Sequence, residues 1–85
     1  MTTQEVRVNL ASGLHARPAT KFVNLSKGFK SKITISHNGK SADPKSIIAL
    51  LSLNIQKDAV ITISAEGEDE TSAVSALSAY VQENE

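Results

Sequence analysis

Eighty-five residues of 9.0 kDa make room for one domain, spanning residues 1–85, and exclude a large buried catalytic cavity. With 40% apolar and 21% charged residues the composition is that of a globular chain, not of a disordered or fibrous one. Nine basic and nine acidic residues cancel, which argues against a nucleic-acid binder driven by counterion release, and the lack of cysteine removes disulfides and thiolate metal sites.

The elements follow in chain order. Glu5 to Leu10 alternates, with Val6, Val8 and Leu10 on one face, the period of a half-buried strand. Ser12-Gly13 breaks it. From Ala16 to Lys27, Ala19, Phe22 and Val23 recur at helical spacing, and Pro18 is tolerated in a first turn. Gly28 is expected to close this helix in the left-handed conformation, with Phe29 packing back on the last turn. Lys32 to Ser36 alternates around Ile33 and Ile35, and Asn38-Gly39 before Lys40-Ser41-Ala42 is a strong hairpin signal. After Asp43-Pro44, the run from Ile47 to Leu53 is expected to form a short helix. Val60 to Ala65 reads as a further strand. Asp69 is expected to cap a last helix striped by Ala73, Val74, Leu77, Tyr80 and Val81. The order βαββαβα predicts an α+β fold, with helices laid over one face of a mainly antiparallel sheet.

The charge balance hides an asymmetry. Residues 1–45 carry eight Lys/Arg against Glu5 and Asp43, whereas residues 46–85 carry Lys57 against seven acids, so one surface is suited to acidic partners. No apolar run approaches the length of a membrane span, and the polar start Met1-Thr2-Thr3-Gln4-Glu5 does not read as a signal peptide. A cytosolic protein is expected, consistent with the absence of cysteine.

The segment Gly13-Leu14-His15-Ala16-Arg17-Pro18-Ala19 places a histidine at the junction of a loop and a helix start, where backbone N–H groups lack intrahelical partners. The positive helix end favours the uncharged ring, which is the nucleophilic form. Arg17 adds a permanent charge that can grip phosphoryl oxygens. This suits a phosphoryl acceptor. A histidine near a helix start is also a common capping group, and an arginine in the first turn a common solvated one, so spacing alone leaves both readings open. His37, beside the hairpin turn and away from any helix end, reads as structural.

Through this motif, and through Asn38-Gly39-Lys40, Lys45-Ser46-Ile47, Leu51-Ser52-Leu53 and the run from Ile63 to Glu70, the chain resembles the histidine-containing phosphocarrier (HPr) family. Its members serve the bacterial phosphoenolpyruvate-dependent sugar phosphotransferase system. The resemblance covers essentially the whole chain. It implies an open-faced β-sandwich of four antiparallel strands and three helices. It implies that His15 accepts a phosphoryl group on Nδ1 from phosphorylated enzyme I and passes it to sugar-specific enzyme IIA, a stoichiometric carrier rather than an enzyme. The backbone N–H groups near Ala16 and Arg17 and the Arg17 guanidinium would steady the phosphoryl, and no cofactor is expected beyond the covalent phosphoryl itself.

Ser46, at the start of the short helix, is a natural cap. The resemblance adds a regulatory reading, because in some relatives this serine is phosphorylated by a kinase/phosphorylase and the product joins a catabolite-control transcription factor. Ile47, Ile48 and Leu51 either lie in the core or form an apolar docking platform, and the resemblance favours exposure of Ile47 and Ile48. Lys27, Lys40 and Lys45 are candidates for steering acidic partners, or simply solvated, while Thr20 and Ser12 are candidate contacts. Many Gram-positive relatives have Met-Gly where this chain has Ile48-Ala49, and glycine where it has Asn54. Asn54 is expected in the left-handed conformation that glycine would take.

The competing reading is a regulatory protein-binding module like the related Crh family, which shares the Ser46 motif but lacks the histidine. His15 argues against it. RNA binding through strand aromatics is not expected, since Phe22, Phe29 and Tyr80 all fall on or beside helices. Two distant histidines make no metal site, and the run from Glu66 to Glu70 reads as a solvated helix entrance rather than a calcium loop. Neither direct nucleic-acid binding nor membrane insertion is expected, and the chain is read as a monomer.

Overall fold

A computed structural model describes residues 1–10, 13–14 and 16–82, with only the backbone of Ala16. The element order is β1 (Thr2–Arg7), α1 (Ala16–Lys27), β2 (Lys32–His37), β3 (Lys40–Ala42), α2 (Ile47–Ser52), β4 (Val60–Glu66) and α3 (Glu70–Gln82). The strands form one antiparallel sheet in the order β1-β4-β2-β3. With three helices beside this open sheet, the architecture is the expected open-faced sandwich.

The register explains the core. Val6 opposes Ile61, Ile63 opposes Ile35 and Ala65 opposes Ile33, so the alternation of each strand delivers its aliphatic residues to the same face. These residues pack with Leu10, Leu14, Phe22, Leu50, Ile55 and the Ala73, Val74, Leu77, Tyr80 and Val81 stripe of α3. The other face is a polar surface of Thr3, Ser64, Thr34, Thr62, Ser36 and Ser41, on which Thr3 Oγ1 donates to Ser64 Oγ at 3.3 Å.

Three local expectations are corrected. β1 is displaced toward the N-terminus of the predicted strand, because Arg7 opposite Val60 is the last pair that β4 can offer. Beyond it, Val8 exchanges bonds with the Asp58–Ala59 turn, donating to Ala59 O and accepting from Asp58 N, each at 2.8 Å. Asn9 N–H donates to Val81 O at 2.7 Å. Val8 and Leu10 are buried as expected, but outside the ladder. Polar Thr2 to Gln4 joins the sheet instead, since ladder pairing uses backbone groups that hydrophobic alternation does not reveal.

Gly28 does not take the left-handed conformation. Its N–H donates to Leu25 O at 3.1 Å and Phe29 N–H to Ser26 O at 3.2 Å, so α1 tightens into a 3₁₀-type end. Phe29 still packs against the core. Asn38 and Gly39, at φ 51° and 78°, form the hairpin turn that joins His37 to Lys40, and Asn54 adopts its expected positive φ of 50° after α2.

Asp69 directly precedes α3, but its carboxylate is committed to β2. It accepts Lys30 N–H at 2.8 Å, Ser31 N–H at 2.9 Å and the Ser31 hydroxyl. Glu70 takes the reciprocal role, accepting the Gly67 N–H at 3.4 Å, the Thr2 hydroxyl at 2.6 Å and the Met1 ammonium at 3.0 Å. Between them, Gly67 at φ 152° lies so close to Ser31 that a Cβ would approach its Oγ to 2.7 Å. The Ser31 hydroxyl, then the Lys30 N–H, hold the Asp69 carboxyl below its ordinary value; the Thr2 hydroxyl, then the terminal ammonium, do the same for Glu70.

Depressed carboxyl values mean that the unfolded chain takes up protons first. The stabilisation is therefore complete above about pH 5 and is lost as the pH falls through the ordinary carboxylate range and on through the lowered folded values. Urea midpoints taken from about pH 7 down to pH 2 should fall with acidity, and Asp69→Asn should flatten this dependence while lowering the neutral-pH midpoint; an unchanged slope would exclude Asp69 as a contributor. Ser78 supplies a second check, because its buried hydroxyl has no hydrogen-bond partner among the described residues. Ser78→Ala removes an unsatisfied polar group from a helix and should be neutral or stabilising by up to about 1 kcal/mol in chemical denaturation.

Candidate functional site

The site is built where the chain turns from β1 into α1. Gly13, at φ 66°, donates its N–H to Leu10 O at 2.9 Å, and Leu14 donates its own to Ile55 O at 2.9 Å. The Leu14 side chain is buried in the core. Helix α1 begins at Ala16, the residue after His15, as the helical spacing predicts. Arg17 is exposed in that first turn, and among the described residues no hydrogen bond or ion pair holds its guanidinium. Pro18 is buried, and its carbonyl accepts the Tyr80 hydroxyl at 3.3 Å, which ties the first turn of α1 to α3. His15 and Ser12 lie outside the described residues, as does the side chain of Ala16.

Helix α2, which packs beside α1, carries the second group of predicted residues. Ser46 is its N-cap, extended at φ −109° and ψ 115°, with Oγ accepting the Ala49 N–H at 3.4 Å. Asp43 prepares this cap by accepting the Lys45 N–H on its side chain at 2.9 Å and the Ser46 N–H on its carbonyl at 3.0 Å. Ser46 is exposed even while capping.

Ile48 is 80% exposed and Leu51 39%, whereas Leu50 faces the core at 1%. Ile47 is only half-buried and packs against the core edge. The apolar platform is thus centred on Ile48 and Leu51, with Ile47 as its rim. Thr20 and Lys27 are exposed on α1. Lys45 is less free than its sequence position implies, since its ammonium donates to Phe29 O and Ser31 O, both at 3.1 Å. Lys40 is exposed on β3 at the hairpin rather than on either helix, and His37 lies 3.4 Å from Val60 O through Nδ1.

Two contacts important to the site have no signature in its motif. The Leu14–Ile55 hydrogen bond joins backbone atoms far apart in the chain, and the Tyr80–Pro18 bond enlists a residue that periodicity assigns to the core stripe. Among the described residues no group of three His, Asp or Glu side chains is placed to hold a metal ion, and no helix is long and apolar enough to cross a membrane.

The family described as the PTS HPr component phosphorylation site matches residues 2–83. The chain belongs to the HPr family. It is 46% identical over 85 residues to the phosphocarrier protein HPr of Buchnera aphidicola subsp. Schizaphis graminum, covering all of both chains. It is 43% identical over 83 residues to the HPr-like protein Crh of Bacillus subtilis, covering 98% of each. A crystal structure of phosphocarrier protein HPr from Bacillus anthracis superposes with a TM-score of 0.94 at 43% identity, over 95% of this chain and 96% of that one. HPr-family membership makes phosphoryl carriage the coarse function of the chain.

The exposure of α2 yields two checks. Ile48→Ser should leave stability within about 0.5 kcal/mol, because the side chain already faces water. Ser46→Ala should cost about 1 kcal/mol by removing the cap. Thermal and urea unfolding would measure both; a large loss at Ile48 would place that side chain in the core.

Proposed function

We propose that the chain carries a phosphoryl group on His15, taking it from phosphorylated enzyme I and giving it to enzyme IIA components. The observation that carries this reading is the start of α1 at Ala16 with an exposed Arg17 in its first turn, in a chain whose family is defined by a phosphorylation site. In the proposed step the His15 Nδ1 lone pair attacks phosphorus as the donor's P–N bond breaks. The Arg17 guanidinium and the amide groups at the head of α1, beginning with Ala16, balance charge on the phosphoryl oxygens. Transfer onward is the same exchange, with the carrier's P–N bond breaking as the next acceptor attacks. Such a step asks for positioning and charge rather than a closed cavity, which suits a small chain passing as a monomer between partners in the cytoplasm.

The basic first half, with Lys27 and Arg17 exposed on α1, is proposed to attract acidic partners, and Ile48 and Leu51, flanked by Ile47 and Thr20, to form the apolar centre of docking. Ser12 is proposed to touch the phosphoryl from the loop side. Ser46 is proposed as the regulatory site for a kinase/phosphorylase, its phosphorylated form meeting a catabolite-control transcription factor. Exposed beside this platform, it would place about two negative charges where an acidic enzyme I docks. A regulatory module acting through Ser46 and the Ile47/Ile48 surface would leave His15 idle, and the 43% identity to Crh favours it no more than the 46% identity to a phosphocarrier favours carriage.

His15→Ala should fold as the parent does and take up no acid-labile phosphate from enzyme I and phosphoenolpyruvate, as read by intact-mass spectrometry; a labile adduct on the folded variant would refute the assignment. Ser46→Asp should slow the His15 reaction about tenfold or more, chiefly through weaker docking, and an equal rate would remove the proposed inhibition.

A further inference from the structure

A tight seat lies beneath Gly13, two residues before His15. At Gly13 a Cβ would come within 2.5 Å of Ile55 O, 2.6 Å of Gln56 Cα and 2.8 Å of Gln56 C. These are all backbone atoms, so no side chain can swing aside. The positive φ of 66° adds a second reason for glycine. One residue later the Leu14 N–H donates to the same Ile55 carbonyl, and the Leu14 side chain is buried. Residues 13 and 14 therefore rest backbone to backbone on residues 55 and 56.

The seat itself is held from both sides. Asn54, left-handed at φ 50°, redirects the chain out of α2, whose last turn ends with Leu53 N–H donating to Leu50 O and Asn54 N–H to Leu51 O. Asp58, at φ 71°, turns it again, and there Val8 exchanges two hydrogen bonds of 2.8 Å with Asp58 and Ala59. Ile55 between them is fully buried.

Building on the proposed carriage by His15, we infer that the Asn54–Gln56 turn positions the phosphoacceptor loop, with Gly13 and Asn54 as positioning residues for phosphoryl acceptance. Neither touches the phosphoryl. Gly13 allows the chain to settle on the Ile55 carbonyl, and Asn54 places that carbonyl, so together they fix the segment that leads into α1. In-line phosphoryl transfer is sensitive to small displacements of its nucleophile, whereas partner docking depends on the separate surface of α1 and α2.

The test is the rate of transfer from phosphorylated enzyme I as a function of carrier concentration, with amide hydrogen exchange on the same proteins. Gly13→Ala should lower the maximal rate about tenfold or more while leaving KM within about twofold, and should lose exchange protection at Leu14 but not in β4. Asn54→Gly, which keeps the left-handed turn, should retain the parent rate and Leu14 protection; Asn54→Val, β-branched at a positive φ, should behave like Gly13→Ala. Where Gly13→Ala does not fold, the Asn54 pair decides. A parent-like maximal rate or retained Leu14 protection in Gly13→Ala, or equal behaviour of the two Asn54 variants, overturns the inference. A parent chain that takes no phosphoryl overturns the carriage reading itself, whereas parent carriage with an undiminished Gly13→Ala rate overturns only the seat.

Discussion

Strand β4 holds the molecule together, because it joins β1, along one edge, to the β2–β3 hairpin, whose β2 lies along the other. It is also the last strand in the chain, so the sheet is completed only when residues 60–66 slip between segments that precede them. Three aliphatic pairs of the inner face pass through it: Val6 with Ile61, Ile35 with Ile63, Ile33 with Ala65. The turn that follows carries the polar half of the same closure. There Asp69 binds the start of β2 and Glu70 the start of β1, so one corner fastens both neighbours of the central strand.

Much of this was legible in the sequence, and the failures have a common cause. The alternation around Ile33 and Ile35, the Asn38-Gly39 turn and the helical recurrence of Ala19, Phe22 and Val23 are local signals, and each element appeared where its signal lay. The errors fall where a distant partner outweighs the local pattern. β1 stops at Arg7 because β4 begins at Val60, not because Val8 and Leu10 cease to be strand-like. Asp69 looks like a cap by position, yet the free N–H groups of Lys30 and Ser31 claim its carboxylate. Gly28 marks the end of α1 correctly but closes it through Leu25 and Ser26 without a left-handed residue.

The site shows the same division. The junction at Ala16 and the Ser46 cap follow from short-range rules, and the split of the α2 aliphatics into buried Leu50 and exposed Ile48 follows from helical phase once packing fixes which side faces the core. Lys45, expected as a steering charge, spends its ammonium on the carbonyls of Phe29 and Ser31 and so bridges the end of α1 to the start of β2. The parts on which the proposed carriage rests are therefore light: a helix head, an exposed guanidinium and an aliphatic patch, each standing on the sheet that β4 joins together.

Tyr80 has a consequence outside chemistry. It is the sole tyrosine in a chain without tryptophan, 6% exposed, its ring 6.3 Å from that of Phe22 and its hydroxyl held by the carbonyl of Pro18. Tyr80 is thus the dominant ultraviolet fluorophore of the molecule, anchored to the first turn of α1. Its emission is therefore a native probe of how the first turn of α1 is held against α3, without any dye or engineered label.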